Sequence, residues 1–295
     1  MQHALFFYGA DTMDLEKFKS WMLGESYSME TIKGYVRYLK QIQSEIDIDE
    51  LDEYFEVAKY LHEAEFSRHQ KNNIAKAVNA YLKMKGVDYR LKLDKRSGPR
   101  DIWIPSDEQK KQLLEVSPWK NRYYNERNNL MLRILFEAGL RAEEVVSLRF
   151  SDLKRKKDVD RHYIHVKMGK GGKDRIVPVS EDLYEEIKKF EKYYSSSKWI
   201  FDNGNNEPLS SKTVRQICYQ AAEATEEEDL NENFHPHACR HYRAVELLDE
   251  DVNLEAIRRF LGHSSLETTK QYLSGSDNLI FKEFEKKDKH ISGGV

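Results

Sequence analysis

The segment HPHACRH, residues 235–241, brings histidines and an arginine to the start of a predicted helix. Pro236 favours a first helical position, which puts His237 and Arg240, three residues apart, on one face near the amino end. That end of a helix disfavours a cation unless an anion binds there, so the pattern predicts an anion site. The alternative is a zinc site, but no second cluster at zinc-ligand spacing is found and we expect no metal. The ligands of such a zinc site would be His235, His237, Cys239 and His241.

A second segment, LGHSSLETTKQYL, residues 261–273, ends in a tyrosine. Helical spacing runs up to Gly262, a favourable helix stop, and His263 follows, where it could simply bind helix-end carbonyls. Ser264 and Glu267 have capping-box spacing and predict a short second helix. Tyr272 closes that helix, and the local pattern leaves open whether it packs or presents a hydroxyl for chemistry.

Two further basic residues occupy turns. Arg141 follows Gly139, a predicted helix stop, and Lys170 lies between glycines in GKGGK, which joins two strand-like runs. A solvated arginine and a surface lysine are the ordinary explanations of these positions. The full phosphate-binding loop pattern is absent.

The elements that would position these residues are mainly helical. Apolar residues recur at helical spacing in 28–42 and 67–86, and helices are also predicted near 106–116, 125–139, 183–194, 211–224 and 237–248. The runs 161–168 and 174–179 predict an antiparallel hairpin. The fold class is therefore mainly α with a small antiparallel sheet, in two domains. We place a helical domain at 1–95, a linker at 96–104 and the second domain at 105–295.

Composition narrows the functional class. The 295 residues carry a net charge of −3, but nine lysines or arginines face only three acids between residues 154 and 175. This basic run is typical either of a solvated hairpin or of a surface that binds a polyanion. Two cysteines fit a reducing cytosol, and no apolar run approaches a membrane span or a signal peptide. We expect a soluble, cytoplasmic protein.

Taken together, the motifs G-L-R-A-E-E-V, G-K-G, P-H-A-C-R-H, L-G-H and a tyrosine nine residues later are similar to those of the tyrosine recombinase (lambda-integrase) family. The spacing resembles compact Xer-type recombinases of bacteria or archaea, or mobile-element integrases. The resemblance covers residues 100–280, and more weakly a helix around Ser28, Thr31 and Tyr35. Glu143 departs from the small or hydroxyl residue usual before the acid of the first motif.

The resemblance implies a DNA-cleaving and rejoining enzyme that needs no cofactor and passes through a 3′-phosphotyrosine. Tyr272 would be the nucleophile, held out at a helix end, and Lys170 the general acid, with Lys173 as runner-up. His237 would be the base and His263 a phosphate donor, while Glu144 would orient the two arginines. The implied catalytic set is Arg141, Lys170, His237, Arg240, His263 and Tyr272.

The resemblance also implies double-stranded DNA as partner and a homo-tetramer on two DNA sites, with the tail after residue 278 as a candidate contact between protomers. Basic residues on predicted helix faces and in the hairpin are the expected DNA-binding set: Lys33, Arg37, Lys40, Arg68, Lys71, Lys76, Lys173 and Arg175. Two alternatives stay open. One is a type IB topoisomerase-like enzyme, and the other is a non-catalytic DNA-binding protein of the same fold.

Overall fold

The computed structural model describes residues 14–45, 53–94, 102–167 and 174–272. The chain divides into two compact units, Met1–Gly98 and Pro99–Val295. Their described residues are mostly helical, with one small antiparallel sheet, which confirms the predicted fold class. No helix among the described residues is long and apolar enough to cross a membrane.

The first unit contains four described helices, α1 (Leu15–Gly24), α2 (Met29–Gln43), α3 (Glu53–Glu63) and α4 (Arg68–Lys85). Helix α2 begins where Ser28 accepts a hydrogen bond from the Thr31 amide, and it buries Ile32, Val36 and Leu39 on one face. Helix α4 ends at Gly86, whose positive φ of 75° suits a glycine. The cores of α2 and α4 pack together, as their apolar spacing predicts.

The second unit begins with α5 (Asp107–Glu115), α6 (Arg122–Ala138) and α7 (Ala142–Val146). The predicted capping box of α5 is present: Ser106 and Gln109 each accept the other's backbone N–H. Helix α6 is the central helix, since most of its side chains beyond the first turn are buried. It ends at Gly139, as predicted, where a φ of 58° turns the chain toward Arg141.

A three-stranded sheet follows, with strands β1 (Leu153–Lys156), β2 (Arg161–Val166) and β3 (Arg175–Val179) in the order β1-β2-β3. The β2–β3 pairing, His162 opposite Val179 and Val166 opposite Arg175, is the predicted hairpin. The sequence analysis missed β1, whose exposed residues are all cations. The turn residues 168–173, which include Lys170 and Lys173, lie outside the described residues.

The remaining helices are α8 (Glu181–Tyr194), α9 (Ser211–Glu223), α10 (Glu228–Asn233), α11 (Pro236–Asp249), α12 (Leu254–Leu261) and α13 (Glu267–Lys270). Pro236 is the first residue of α11, as predicted. The predicted capping box of α13 was wrong. Leu266 occupies its N-cap without a side-chain bond, while Ser265 and Thr268 hydrogen-bond to each other instead.

Candidate active site

Arg240 is the most buried cation of the site, with 3% of its surface exposed. Its Nη1 donates to the carbonyl of Gly139 at 2.7 Å, and its Nη2 donates to the carbonyl of Leu261 at 2.5 Å. These carbonyls lie at the ends of α6 and α12, where helices leave their last carbonyls without intrahelical partners. Burial, and then the charge of Arg141, lower the pKa of Arg240 to about 9, so it stays a cation at neutral pH.

Arg141 lies beside it, at the N-cap of α7. Its Nη1 is 2.9 Å from Glu144 Oε1, and its Nη2 donates to the Gly262 carbonyl at 3.3 Å. The backbone N–H of Arg141 donates to the other carboxylate oxygen of Glu144 at 2.8 Å. About a third of the Arg141 side chain is exposed, which leaves this guanidinium open to a ligand.

Glu144 is the carboxylate on which the arginines converge. Burial would raise its pKa, but hydrogen bonds and charge from Arg175, and then from Arg141, outweigh burial and hold the pKa at about 2. Arg175 binds both Glu144 oxygens, each at 2.8 Å, in a bidentate pair. Glu144 therefore binds two guanidinium groups directly, and its charge also acts on the buried Arg240.

Arg175 corrects one prediction. The sequence analysis assigned it to the DNA-binding surface, but its side chain is only 7% exposed and its Nε donates to the Phe260 carbonyl at 2.9 Å. Gly262 allows this approach, since a Cβ there would lie 3.0 Å from the Arg175 side chain. Arg175 thus ties β3 to α7 and to the end of α12.

His263 and Tyr272 also lie near the arginines, since the charges of Arg240 and Arg141 act on both. His263 is 7% exposed, and its Nδ1 is 2.9 Å from Thr269 Oγ1. Burial, and then the charges of Arg240 and Arg141, lower its pKa to about 3, so the imidazole is neutral at physiological pH. Its ring stacks on that of Tyr272, with centroids 6.3 Å apart.

Tyr272 was expected to be held out at a helix end, but its side chain is buried. It is 3% exposed and packs with a small apolar cluster of α11 and α12: Ala244, Leu247, Leu248, Ile257 and Leu261. Burial raises the pKa of its phenol, while Arg240 and Arg141 act in the opposite direction. The ring of Tyr272 is therefore packed, and its hydroxyl lies within the field of both arginines.

The histidines of α11 divide their roles. His235 caps the helix, because its Nδ1 accepts from the Ala238 amide at 3.1 Å. His237 is half-buried, and burial, then Arg240, lower its pKa. His241 contacts the Tyr272 hydroxyl, with Nδ1 and Oη 2.8 Å apart, and the Gln271 side chain also hydrogen-bonds to Tyr272. The charge of Arg215, on α9, also lowers the pKa of His237, which brings α9 to the site.

Sequence reasoning missed three of these residues. His241 was left without a role, Arg175 was taken for a surface residue, and Arg215 was not considered. Only the adjacency of His241 to Arg240 in HPHACRH could have drawn attention to it. Among the described residues, no group of three or more His, Cys, Asp or Glu side chains is placed to hold a metal ion.

Apart from Lys173, which lies outside the described residues, the other DNA-binding candidates belong to the first unit. Lys33, Arg37 and Lys40 are exposed along one side of α2, and Arg68 and Lys76 are exposed on α4. On α4 the exception is the half-buried Lys71, whose Nζ donates to the His62 carbonyl at 3.2 Å.

A sequence model of a family described as the phage integrase family matches residues 106–278 of this chain. These residues include the arginines, the histidines, Glu144 and Tyr272 of the candidate active site. The chain belongs to the phage integrase family. Tyrosine recombinase XerA of Thermococcus kodakarensis is 29% identical over 278 residues, which cover 92% of this chain and 94% of that protein. A tyrosine recombinase of Pseudothermotoga lettingae is 27% identical over 292 residues, covering 92% and 97%.

Two solved structures share the fold. XerH bound to its palindromic difH substrate, a post-cleavage complex, has a TM-score of 0.71 and 19% identity, covering 93% of this chain and 84% of that one. The Tn1549 transposon integrase bound to transposon right-end DNA has a TM-score of 0.66 and 18% identity, covering 92% and 98%. Family membership and the curated relatives confirm the predicted family and enzyme class, a recombinase that breaks and rejoins DNA strands. Neither alternative class gains support.

Proposed function

We propose that this protein recombines DNA at specific sites by attack of Tyr272 on a phosphodiester. The observation that carries the proposal is the position of the Tyr272 phenol, buried among Arg141, Arg240 and His263. The Tyr272 oxygen forms a bond to phosphorus, and the bond from phosphorus to the 5′ oxygen breaks. The product is a 3′-phosphotyrosine and a free 5′-hydroxyl. The ester retains the energy of the broken bond, so rejoining needs no cofactor.

The charge balance of the site supports phosphate binding. Arg141, Arg175 and Arg240 are close enough to interact electrostatically, and Glu144 is the carboxylate that opposes them. A surplus of positive charge in a buried region is costly unless an anion neutralises it. A scissile phosphate between Arg141 and Arg240 supplies that anion, and the charge developing on its oxygens is stabilised by both guanidiniums.

The fixed orientation of Arg240 adds to this. Its two carbonyl partners hold the plane of the guanidinium, while its other N–H groups remain for a phosphate. His263 is neutral, and in the tautomer whose Nδ1 accepts from the Thr269 hydroxyl its Nε2–H can donate to a non-bridging oxygen. His237 lies near the same arginines.

The leaving 5′ oxygen needs a proton. We assign this to Lys170, with Lys173 as the second candidate, on the strength of the family motif alone, since both lie outside the described residues. Glu144 is a positioning residue, because it binds the guanidinium groups of Arg141 and Arg175.

We further propose that residues 1–95 act as a DNA clamp joined through the linker 96–104 to the catalytic domain 105–295. The exposed cations of α2 and α4 would track the phosphate backbone. Exchange of strands between two duplexes requires four cleavages, so we propose that four protomers act together as a homo-tetramer. We place this reaction in the cytoplasm. The biological role is either Xer-type resolution of chromosome dimers or integration and excision of a mobile element.

Two assays on the same protein test this function. Genomic fragments are incubated with the protein, covalent adducts are isolated under denaturing conditions, and the trapped sequence gives the target site. Two copies of that site on one plasmid should then recombine, with no added metal or nucleotide. Relaxation of a plasmid that lacks the site, without recombination of one that has it, would instead identify a topoisomerase-like enzyme.

A further inference from the structure

The hydroxyl of Tyr272 has a basic partner that the sequence motif does not assign. His241 Nδ1 lies 2.8 Å from Tyr272 Oη, within hydrogen-bond distance. A residue that takes the proton of an attacking hydroxyl must lie within this reach of it. His237, to which the motif gives that role, has its ring centroid 6.2 Å from that of His241.

The two histidines face different parts of the site. His237 feels the charges of Arg240, His235, Arg141 and Arg215, which places its ring on the side of the arginines where a phosphate would bind. His241 is one helical turn further along α11, and its ring lies 5.5 Å from that of Tyr272. A histidine beside the phosphate and another beside the phenol are suited to separate tasks.

Packing fixes the contact between His241 and Tyr272. Ala244, Leu247 and Leu248, on the same helix as His241, belong to the apolar cluster that encloses the tyrosine ring. The backbone N–H of Tyr272 also donates to the Thr269 carbonyl at 3.2 Å. The tyrosine and the helix that carries His241 are thereby held together, and the phenol reaches the imidazole without a change of rotamer.

We propose that His241, rather than His237, takes the proton of Tyr272 as the phenol attacks phosphorus, an inference that rests on the proposed function. The O–H bond of Tyr272 breaks, its proton passes to His241 Nδ1, and the phenol oxygen bonds to phosphorus. The bond to the 5′ oxygen breaks, and that oxygen receives a separate proton from the general acid. On rejoining, the steps reverse and His241 returns the proton to the departing tyrosine. His237 is left to bind the phosphate.

The test compares His241→Asn with wild type in single-turnover adduct formation on a nicked substrate that traps the covalent intermediate. The asparagine oxygen keeps a hydrogen-bond acceptor near the position of Nδ1, but it is not a base. At pH 7 we expect adduct formation to fall about 100-fold or more, with duplex binding retained. Between pH 7 and 9 the phenolate fraction grows about tenfold per pH unit, so the gap between variant and wild type should narrow as pH rises.

His235→Asn is the matched control, since asparagine preserves the cap of α11 while removing an imidazole from the same segment. It should cleave at the wild-type rate. His241 is only half-buried, so its replacement leaves the core intact, and melting temperatures and gel shifts of both variants verify folding. His241→Gln is measured in parallel.

Each other outcome overturns the inference. An unchanged rate means that His241 takes no proton, and a faster rate means that its hydrogen bond holds Tyr272 in an inactive state. A rate reduced by the same factor at every pH means that His241 only shapes the site. Failure of wild type to form any adduct would instead contradict the proposed function, and so it is distinguishable from these results.

Discussion

Arg240 joins the ends of two helices through a single planar group. Its Nη1 and Nη2 bind carbonyls of Gly139 and Leu261, which are far apart in sequence. A guanidinium serves both carbonyls and still has N–H groups for a phosphate, whereas an ammonium group is a point charge that lacks this fork. Arg240 therefore has a structural task, and in the proposed function its remaining N–H groups also bind the phosphate.

We expect Arg240→Lys to slow adduct formation by about 100-fold or more, because one oriented transition-state contact is lost. Duplex affinity should change by no more than about threefold, since the positive charge remains. Single-turnover cleavage and gel shifts on one trapped site measure the two effects. Arg259→Lys, on the 75% exposed Arg259 of α12, is the matched control. Equal loss of binding and cleavage, or cleavage near the wild-type rate, would contradict this role of Arg240.

At this scale the sequence predicts the motif residues but not their partners. Arg141, His237, Arg240 and His263 can be found because residue type and spacing carry the chemistry. Arg175 cannot, since it lies in a run of cations that resembles a solvated surface. Its burial depends on the Phe260 carbonyl, 85 residues away, and on the missing side chain of Gly262.

Among the elements, α7, β3 and α12 meet through one buried ionic network. Glu144 on α7 binds Arg175 on β3, which in turn binds the Phe260 carbonyl of α12. Removing one member of such a network leaves a buried charge without its partner, which is strongly destabilising. The network thus holds α7, which begins at Arg141, against β3 and the end of α12, which His263 follows.

We expect Glu144→Gln to lower the free energy of unfolding at pH 7 by about 3 kcal/mol, which corresponds to a pKa held about 2.5 units below its ordinary value. A carboxylate with a lowered pKa stabilises the fold above its unfolded-state pKa of about 4.5, and the effect is lost as pH falls toward 2. Urea unfolding at several pH values should show wild type and variant converging between about pH 5 and pH 2.

Glu255→Gln is the matched control for that series. The pKa of Glu255 is also about 2, because Arg258 and Arg259 bind it, but its side chain is 47% exposed. Solvent screens such a pair, so this variant should unfold almost like wild type. A constant difference between wild type and Glu144→Gln at every pH would contradict the network's ionic origin.

Helices were predicted correctly where apolar residues recur at helical spacing over a long segment. Prediction failed where a segment is short or consists mostly of charged residues. Helices α4 and α6 follow their apolar periodicity to the glycines that end them. Strand β1 was missed because Lys154, Arg155 and Lys156 show no alternation of apolar and polar residues. The four-residue helix α13 lacks the cap that its sequence suggests, and its contact with the rest of the unit is made by buried Thr269, which hydrogen-bonds to His263.

For the molecule as a whole, the net charge of −3 conceals a separation of charge. In the first unit, Lys33, Arg37 and Lys40 form one exposed stripe at helical spacing on α2, and each follows a buried apolar residue by one position. Phosphate contacts of this kind raise affinity without reading sequence, and they make binding depend on salt.

We expect replacement of Lys33, Arg37 and Lys40 by glutamine to weaken duplex binding to a similar degree on target and non-target DNA. The slope of log affinity against log salt concentration should become shallower by about 3, or roughly one per lost contact. Fluorescence anisotropy across a salt series measures the slope.

Lys17, Lys59 and Lys83 provide the matched control, since they are exposed on α1, α3 and α4 of the same unit. Their replacement by glutamine should leave the slope unchanged. Equal effects of the two triple variants would show that overall charge, and not the α2 stripe, governs binding.

Of the 17 tyrosines, we expect Tyr272 to be the one that becomes joined to DNA. The most direct measurement is mass spectrometry of the denatured adduct after nuclease and protease digestion. We predict one modified peptide, containing Tyr272 bonded to a nucleotide 3′-phosphate, and no adduct with Tyr272→Phe, which keeps the packed ring and binds the duplex. Tyr219→Phe, at a tyrosine that is 57% exposed, should form the adduct as wild type does. A nucleotide found on any other residue, or an adduct that persists in Tyr272→Phe, would contradict the account.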